Sequence, residues 1–473
     1  MDPVMQVAVT CANIEGLDAR PMVLSATMDA APGDVTIQGV DNREAEGLII
    51  RLKRALDNCG FAWPQHATTV SLNPMPAVVE EATLGLPLAA ALIALVSDNV
   101  QNLEGYLFIG GVAESGLVTA PRGLVSVDAL CRRRALTLVT GPGELSSSSP
   151  WHAHRFITTL ASLARPLRAI VDTMAKDRQL VGEALPDFAG FDAAEYELRA
   201  LVVACAGRHS LAFSGGGAHC ATDYVRRIPS ILSPLTGGER EIVERVTSAA
   251  GESIAYIAAG RRPLRVNAAD VSFSQMVGGG CPVVPGEVSL ATDGVLFLRE
   301  VNDFNGAVLQ GIRKAYIDKN VRIERAEGTY IFPADFMLVV STTGDADGKE
   351  DVPASLSVLN DLIDMHVRLG CSDHQACRAP SSSRLASVVA RARAFRVWRL
   401  SRAWEDPNII ETGAIQGLVE ETVTAIDDAV GLEPKSAVVR NRIERLARTI
   451  ADVEESQQVR PDHVFEAVSL VNR

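Results

Sequence analysis

The sequence predicts an α/β core built on a parallel sheet, preceded by a mixed α+β region and followed by helices. Three observations lead there. Between residues 186 and 370, short apolar runs alternate with helical periodicity, the pattern of strands joined by crossover helices. Ahead of them lies a separate mixture of strand and helix signals, closed by Gly141-Pro142-Gly143-Glu144-Leu145 and then Ser146-Ser147-Ser148-Ser149-Pro150. Beyond residue 380 only helical spacing remains.

Taken in order, Val35-Thr36-Ile37 reads as a strand, Glu44 to Leu56 as a helix and Thr68 to Leu72 as a strand. Leu84 to Val96 is apolar on all sides, so a buried helix is expected despite Gly85 and Pro87. Tyr106 to Ile109 and Leu136 to Val139 are further strands. Gly and Pro then break regular structure, and a serine run has little to bury. In the middle region the clearest strands are Ser210 to Phe213, Gly294 to Leu298 and Phe336 to Ser341. Leu385 to Trp404, Ile415 to Val430 and Val438 to Val453 have helical periodicity, and a last helix starts near Arg460-Pro461, with Pro in its first turn. No internal repeat is evident.

Composition narrows the function. A chain of 473 residues implies two or three domains. With 47% apolar and 22% charged residues it has the make-up of a well-cored soluble protein, and with only 5% aromatics the core must rest on Ala, Val, Leu and Ile. A net charge of −13 argues against a general polyanion binder, though not against a local basic patch. No basic-then-apolar leader opens the chain, and Leu84 to Val96 is too short to span a bilayer. The eight cysteines have no framework spacing, as expected of reduced thiols in the cytoplasm.

The strand Ser210-Leu211-Ala212-Phe213 runs through Ser214-Gly215-Gly216-Gly217-Ala218-His219-Cys220-Ala221-Thr222 into a helix starting near Asp223. Strand, glycine turn and helix start is the setting in which backbone N–H groups cradle phosphates. A working phosphate loop also needs a second Gly for close approach and a Lys for the outer phosphates. Cys220 stands at that Gly position and Ala221 at that Lys position. A helix end alone contributes about 0.3–1 kcal/mol toward an anion, a weak substitute for a cation. By itself the segment reads better as a plain tight strand-to-helix turn.

The surrounding residues carry a resemblance. Ala206-Gly207-Arg208-His209-Ser210-Leu211, Arg226-Arg227-Ile228-Pro229-Ser230-Ile231-Leu232-Ser233-Pro234-Leu235-Thr236, and above all Val277-Gly278-Gly279-Gly280 through Pro285-Gly286-Glu287-Val288-Ser289-Leu290-Ala291 to Gly294-Val295-Leu296-Phe297-Leu298, resemble the Mg-chelatase-like (YifB/ComM) AAA+ family. Phe332-Pro333-Ala334-Asp335-Phe336 and Arg448-Thr449-Ile450-Ala451-Asp452-Val453 fit as well. Toward the N-terminus, Gly60-Phe61-Ala62-Trp63-Pro64, Val70-Ser71-Leu72-Asn73-Pro74 and Pro121-Arg122-Gly123 resemble the Lon-protease-like domain that precedes the ATPase core. The resemblance covers nearly the whole chain. It implies a Lon-protease-like α+β domain over 1–142, a linker over 143–184, an AAA+ P-loop core over 185–370 and a C-terminal helical lid over 371–473. A Lon dyad needs Ser and a Lys base. Glu80 to Pro87 holds no Ser and Val125 stands near the Lys position, so the resemblance implies a domain without the protease dyad.

Measured against the family pattern, five nucleotide-handling positions are altered. Ala221 replaces the phosphate-loop Lys. Arg299 replaces the Asp that helps hold Mg²⁺, leaving Glu300 as the one acidic catalytic candidate. Two cations about 4 Å apart in a partly dry site repel by roughly 4 kcal/mol. The plainer expectation for Glu300 is an ion pair with Arg299. Thr343 replaces the sensor Asn, Leu362 a trans-acting Arg, and Val438 the lid Arg. The degenerate phosphate loop is then Gly215, Gly216, Gly217, Ala221 and Thr222, facing Arg299 and Thr343, with no confident catalytic residue and no metal site expected.

Other features are weaker. Arg378, Arg384, Arg391, Arg393, Arg396, Arg399 and Arg402, with Phe395, Trp398 and Trp404, could track a nucleic-acid backbone. They do not share one helical face, which favours a solvated, partly ion-paired helix. Cys371, His374 and Cys377 fall short of a zinc set. His152 and His154 have no acidic neighbour in sequence, and Cys220 at a helix start is a candidate reactive thiol. No cofactor is expected, with ATP and Mg²⁺ bound only if the altered site still holds them. The resemblance implies a ring, hexameric in such ATPases, and precedent within the family for an inactive subunit acting as platform for an active partner. The leading expectation is a pseudo-ATPase subunit. An ATP-dependent branch-migration motor of ComM type and a non-motor DNA-binding module are the alternatives.

Overall fold

A computed structural model describes residues 5–39, 42–76, 80–97, 102–146, 154–170, 184–216, 218–326, 328–342, 357–370, 376–403, 417–419, 424 and 437–471. The N-terminal region is organised by a long hairpin, β1 (Met5–Glu15) and β2 (Asp18–Pro32), which the sequence reading had not picked out. Small and polar residues, Cys11, Ala12 and Asn13 among them, are buried along β1 and hide its alternation. Gly16 turns the corner with φ +62°, as a two-residue hairpin loop requires.

There follow β3 (Val35–Ile37), α1 (Asn42–Asn58), β4 (His66–Asn73), α2 (Glu81–Val96), β5 (Tyr106–Phe108), the small pair β6 (Gly111–Val112) and β7 (Val118–Thr119), α3 (Leu124–Arg134), β8 (Thr137–Thr140) and β9 (His154–Phe156). They make a mixed seven-stranded sheet in the order β3-β4-β2-β1-β5-β8-β9. Helix α2 is the heart of its core. Thr83 to Leu95 are all buried, including Pro87. Pro87 has no N–H to give the Thr83 carbonyl. The backbone N–H of Gly110 supplies that bond instead at 3.2 Å, and Leu86 N donates to Gly110 O at 2.8 Å. The close approach needs Gly85, where a Cβ would sit 2.8 Å from Val112 N.

The expected linker over 143–184 differs in its first half. β9 pairs in parallel with β8, and Ile157, Leu160, Leu163 and Leu167 lie buried in the same core as α2. Apolar side chains spaced along 157–167 outweigh the Gly-Pro-Ser signal before them.

The second region runs through β10 (Asp192–Ala194), α4 (Glu195–Gly207), β11 (Leu211–Gly215), α5 (Ala218–Ile231), α6 (Gly237–Ala250), α7 (Ala255–Ala258), β12 (Leu264–Asn267), α8 (Phe273–Val277), β13 (Gly278–Gly279), β14 (Val284–Pro285), α9 (Glu287–Leu290), β15 (Val295–Leu298), α10 (Gly306–Asp318), the hairpin β16 (Asn320–Arg325) and β17 (Gly328–Pro333), β18 (Met337–Ser341) and β19 (Met365–Leu369). β20 (Ala376–Arg378) pairs with β10. The last described helices are α11 (Ser382–Ala403), α12 (Ala437–Val453) and α13 (Pro461–Val471). Of the helix expected over Ile415 to Val430, only Gly417–Val419 and Thr424 are described, and they are helical.

Five strands form one parallel sheet in the order β12-β15-β18-β11-β19. This is the parallel sheet expected of an AAA-like core. Side chains alternate between its faces. Phe213, Phe297, Val339 and Val367 face α4, α5 and the C-terminal helices. Ala212, Leu296, Leu298, Leu338 and Val340 face α10 and its neighbours. Burial on both faces is why these strands read as continuous apolar runs.

The two regions are joined by a dry seam. Val125 on α3 lies with Leu235, Val243, Ile254 and Ile257 in one buried cluster. Gly123 N donates to Ser248 O at 2.7 Å, and Ser146 Oγ donates to the buried Glu244 carboxylate at 2.6 Å. Among the described residues no helix is long and apolar enough to cross a membrane.

Candidate functional site

In an open parallel sheet, ligands collect beyond the carboxyl ends of the strands, where the order of connections reverses. Here the chain leaves β11 for the far strand β12, returns through β15 to β18 beside β11, and then crosses to β19 on the other side. The reversal is therefore at β11, and the glycine turn follows directly. Gly215 and Gly216 take φ +71° and +63°, and a Cβ on Gly215 would meet Leu369 O at 2.9 Å. Only glycine fits that turn.

At the turn's far end, Ala221 is 1% exposed and belongs to the apolar cluster with Phe213, Tyr224 and Val225. Thr222 is half-buried beside it. No cation enters the turn from the Lys position. The side chains of Gly217 to Cys220 lie outside the described residues, and with them the candidate thiol.

The neighbouring strand ends are pinned by backbone. Arg299 N donates to Asn267 O at 2.9 Å, Glu300 N to Ser341 Oγ at 3.1 Å, and Thr342 N to Phe213 O at 2.9 Å. β18 lies between β11 and β15, so Arg299 and the glycine turn are about 10 Å apart at ordinary strand spacing. Arg299 is exposed. Water screens it, which brings the roughly 4 kcal/mol repulsion between two unit charges about 4 Å apart down toward the ~1 kcal/mol of a fully aqueous pair, with about twice either figure for a divalent ion. The expected Arg299–Glu300 ion pair is also absent among the described residues. Glu300 takes φ +57°, a left-handed turn rare outside Gly, Asn and Asp. It leads into the short turn Val301–Asp303 and separates the two neighbours.

The remaining altered positions do not join this group. Thr343 lies outside the described residues, next to Thr342. Leu362 is at the opposite edge, ahead of β19, where its carbonyl accepts a bond from Ser210 Oγ. Four steps of β19 alone put about 13 Å between the two edges. A trans-acting finger there would serve a neighbouring copy, not its own turn. Val438 begins α12 and is 54% exposed.

What sequence reasoning missed is that opposite edge, where every strand enters on a charged or polar tie. Arg262, ahead of β12, is buried. It donates to Ser233 O at 2.6 Å and Asp293 O at 2.6 Å, and pairs with Glu239 at 2.9 Å. Glu239 is held below the ordinary carboxylate range: burial pushes it up, but its bonds from Thr236 N–H and Arg262 outweigh that. Asp293, ahead of β15, pairs with Arg208 at 3.3 Å, and Asp335, ahead of β18, with Lys319 at 3.2 Å. His209 and Asp364 precede β11 and β19. His209 Nδ1 lies 3.1 Å from Asp364, and its Nε2 is 2.8 Å from Thr449 Oγ1 on α12. Arg445 also bonds Asp364, and Arg442 donates to Asp361 O at 3.0 Å. Burial opposes the charge on Asp364, but His209, Arg445 and Arg442 pull its pKa below the ordinary range. His209 and Thr449 are 240 positions apart. The one local signal was a polar residue persisting at the start of each buried strand.

The arginine stretch is divided by its contacts. Arg399 makes two 3.0 Å bonds to the buried Asp452, and Arg391 pairs with Glu455 at 3.0 Å. Arg393 is half-buried and its pKa lowered, first by burial and then by Arg262. Arg378, Arg384 and Arg396 are exposed, while the side chain of Arg402 and all of Trp404 lie outside the described residues. His154 differs from expectation: it is buried, with Nε2 2.8 Å from Asp128, 26 positions away. His152 and Cys371 to Gln375 lie outside the described residues, as does the side chain of Cys377. Among the described residues no cluster of His, Cys, Asp and Glu could hold a metal.

Three family models match this chain: subunit ChlI of Mg-chelatase over residues 25–141, magnesium chelatase subunit ChlI over 187–353, and its C-terminal part over 379–470. The competence protein ComM of Haemophilus influenzae is 24% identical, over 96% of this chain and 95% of its own length. The uncharacterized protein YifB is 25% identical in Salmonella typhimurium and 26% in Escherichia coli, in each case over 96% of this chain and 94% of the relative. A full-length MCM homolog from Methanopyrus kandleri is 14% identical and aligns with a TM-score of 0.33 over 58% of this chain and 54% of that one. The chain belongs to the magnesium-chelatase ChlI-like family, with ComM and YifB homologues over nearly its full length.

Proposed function

We propose that this chain is a pseudo-ATPase of the ComM/YifB kind, a cytoplasmic structural or regulatory subunit that works through a protein partner or a ring of its own copies. The observation that carries the reading is a buried methyl group at Ala221 together with an exposed guanidinium at Arg299, at the sheet edge that holds the Gly215-Gly216 turn. A magnesium triphosphate needs a cation at the first position and a carboxylate at the second. This edge offers a methyl group at the first and a cation at the second. No cofactor and no metal belong to this reading.

The architecture supports a body that holds its shape without nucleotide. The lid proposed over 371–473 is tied to the core proposed over 185–370 by the His209–Asp364–Thr449 network. The domain proposed over 1–142 is Lon-protease-like in lineage only. Val125, near the position of the Lys base, is 1% exposed inside the seam, where a lysine would have to bury its charge. A mixed ring with an intact homologue is the assembly this reading favours.

Calorimetry with Mg·ATP tests it. Expected is no saturable heat that depends on Mg²⁺ at millimolar nucleotide, and ATP hydrolysis no faster than a buffer blank. Saturable binding that requires Mg²⁺, or a hydrolysis rate that disappears in Glu300→Gln, would overturn the proposal in favour of a motor like the ComM relative.

A further inference from the structure

Where the N-terminal region meets the core hairpins there is a cavity of about 110 Å³, room for several waters or a small polar group. Asn13, Glu15, Glu80 and Arg122 line it from the N-terminal side, and Arg325 and Tyr330 of the β16–β17 hairpin from the other. Its charges are unevenly satisfied. Glu15 is already neutralised, by Arg20 at 2.9 Å and by a bond from Asn13 Nδ2 at 3.2 Å. The side chains of Arg122 and Arg325 make no hydrogen bond or ion pair within 4.0 Å among the described residues. Glu80 feels Arg122 only at a distance, and burial raises its pKa more than Arg122 lowers it.

Both guanidinium groups are exposed. The stem of Arg122 runs over Gly251, where a Cβ would come within 3.2 Å. Two carboxylates share the lining with them, and Glu15 is already bonded to Arg20 and Asn13. Among the described residues the two guanidinium groups therefore line one cavity with neither held in an ion pair.

We propose that this cavity binds an oxyanion group, carboxylate or phosphate, between the guanidinium forks of Arg122 and Arg325. Such a group matches the fork geometry of arginine. The ligand touches the N-terminal region and the β16–β17 hairpin together, so its binding clamps one to the other. The site is separate from the glycine turn and does not depend on the pseudo-ATPase reading.

The full chain is titrated calorimetrically with acetate and, separately, with inorganic phosphate at constant ionic strength. Saturable binding of one or both is expected, and the better titrant identifies the chemistry. Arg122→Gln and Arg325→Gln should each weaken it roughly tenfold and the double variant abolish it. Arg122→Lys should retain part of it, and Arg391→Gln all of it. Binding at the glycine turn would instead survive the double variant and fall in Arg299→Gln. That outcome, no saturable heat with either anion, or equal loss in Arg391→Gln overturns the proposal.

Discussion

The two edges of the parallel sheet are built on opposite principles. At the carboxyl edge, around Gly215, Arg299 and Glu300, the ties are mostly backbone bonds, and the charged side chains of Arg299 and Glu300 make no ion pair among the described residues. At the amino edge, Arg262, Asp293, Asp335, His209 and Asp364 each anchor a strand through bonded, mostly buried charge. Among the described residues, the charged side-chain ties of the sheet gather at its amino edge.

The largest expected effect that would sharpen this contrast is at Asp364. Asp364→Ala leaves Arg442, itself 8% exposed, without its nearest anion and frees His209. Loss of about 3–5 kcal/mol is expected from denaturant unfolding, the cost of breaking a buried charge cluster. Next comes Arg262→Met, which strands the Ser233 and Asp293 carbonyls. About 2–3 kcal/mol is expected, read as a lower denaturant midpoint at unchanged slope.

A smaller, pH-dependent effect tests the same edge. Burial, and then the positive charge of Arg442, holds the imidazole of His366 below its ordinary range. Unfolding restores that range, so the unfolded chain binds the extra proton first. Stability is full above about pH 6.5 and falls as pH drops from there toward the folded value. His366→Gln should flatten the stability profile over that interval, and an unchanged slope would remove His366 from the account. The smallest effect belongs to the carboxyl edge. Arg299→Asp should alter stability by less than about 0.5 kcal/mol, because the side chain is exposed and unbonded. A loss on the scale of Asp364→Ala would erase the distinction between the edges.

The legible parts of the molecule were those with strong local signals. β11, β15 and β18 are buried on both faces over residues 211–213, 295–298 and 337–340, so those stretches are apolar without interruption, and α2 is apolar nearly all round. The β1–β2 hairpin escaped notice because both its faces are partly buried, Val9, Met22 and Leu24 with α2 and the small Ala12 and Ala19 with α3, which blurs the alternation of apolar and polar residues. β12, at the sheet edge, carries Arg265, which pairs with Glu287 at 2.7 Å and Glu252 at 2.8 Å, and reads as polar. For the candidate site, the glycine turn between β11 and α5 was visible in sequence. The amino-edge network was not, since His209, Asp364, Arg442 and Thr449 come together only through the tertiary fold. Nor was the exposure of Arg299, which weakens an electrostatic argument that had assumed a partly dry site.

The position of Val125 has a practical consequence. A fragment begun near residue 185 would uncover Val243, Ile254 and Ile257, and would leave Glu244 without the serine hydroxyl it accepts from. Excising the front third therefore exposes a greasy wound on α6 and α7, and such a fragment should aggregate more readily than the intact polypeptide. Any force applied to the leading region reaches α6 directly, one short loop away from the helix that follows the glycine turn.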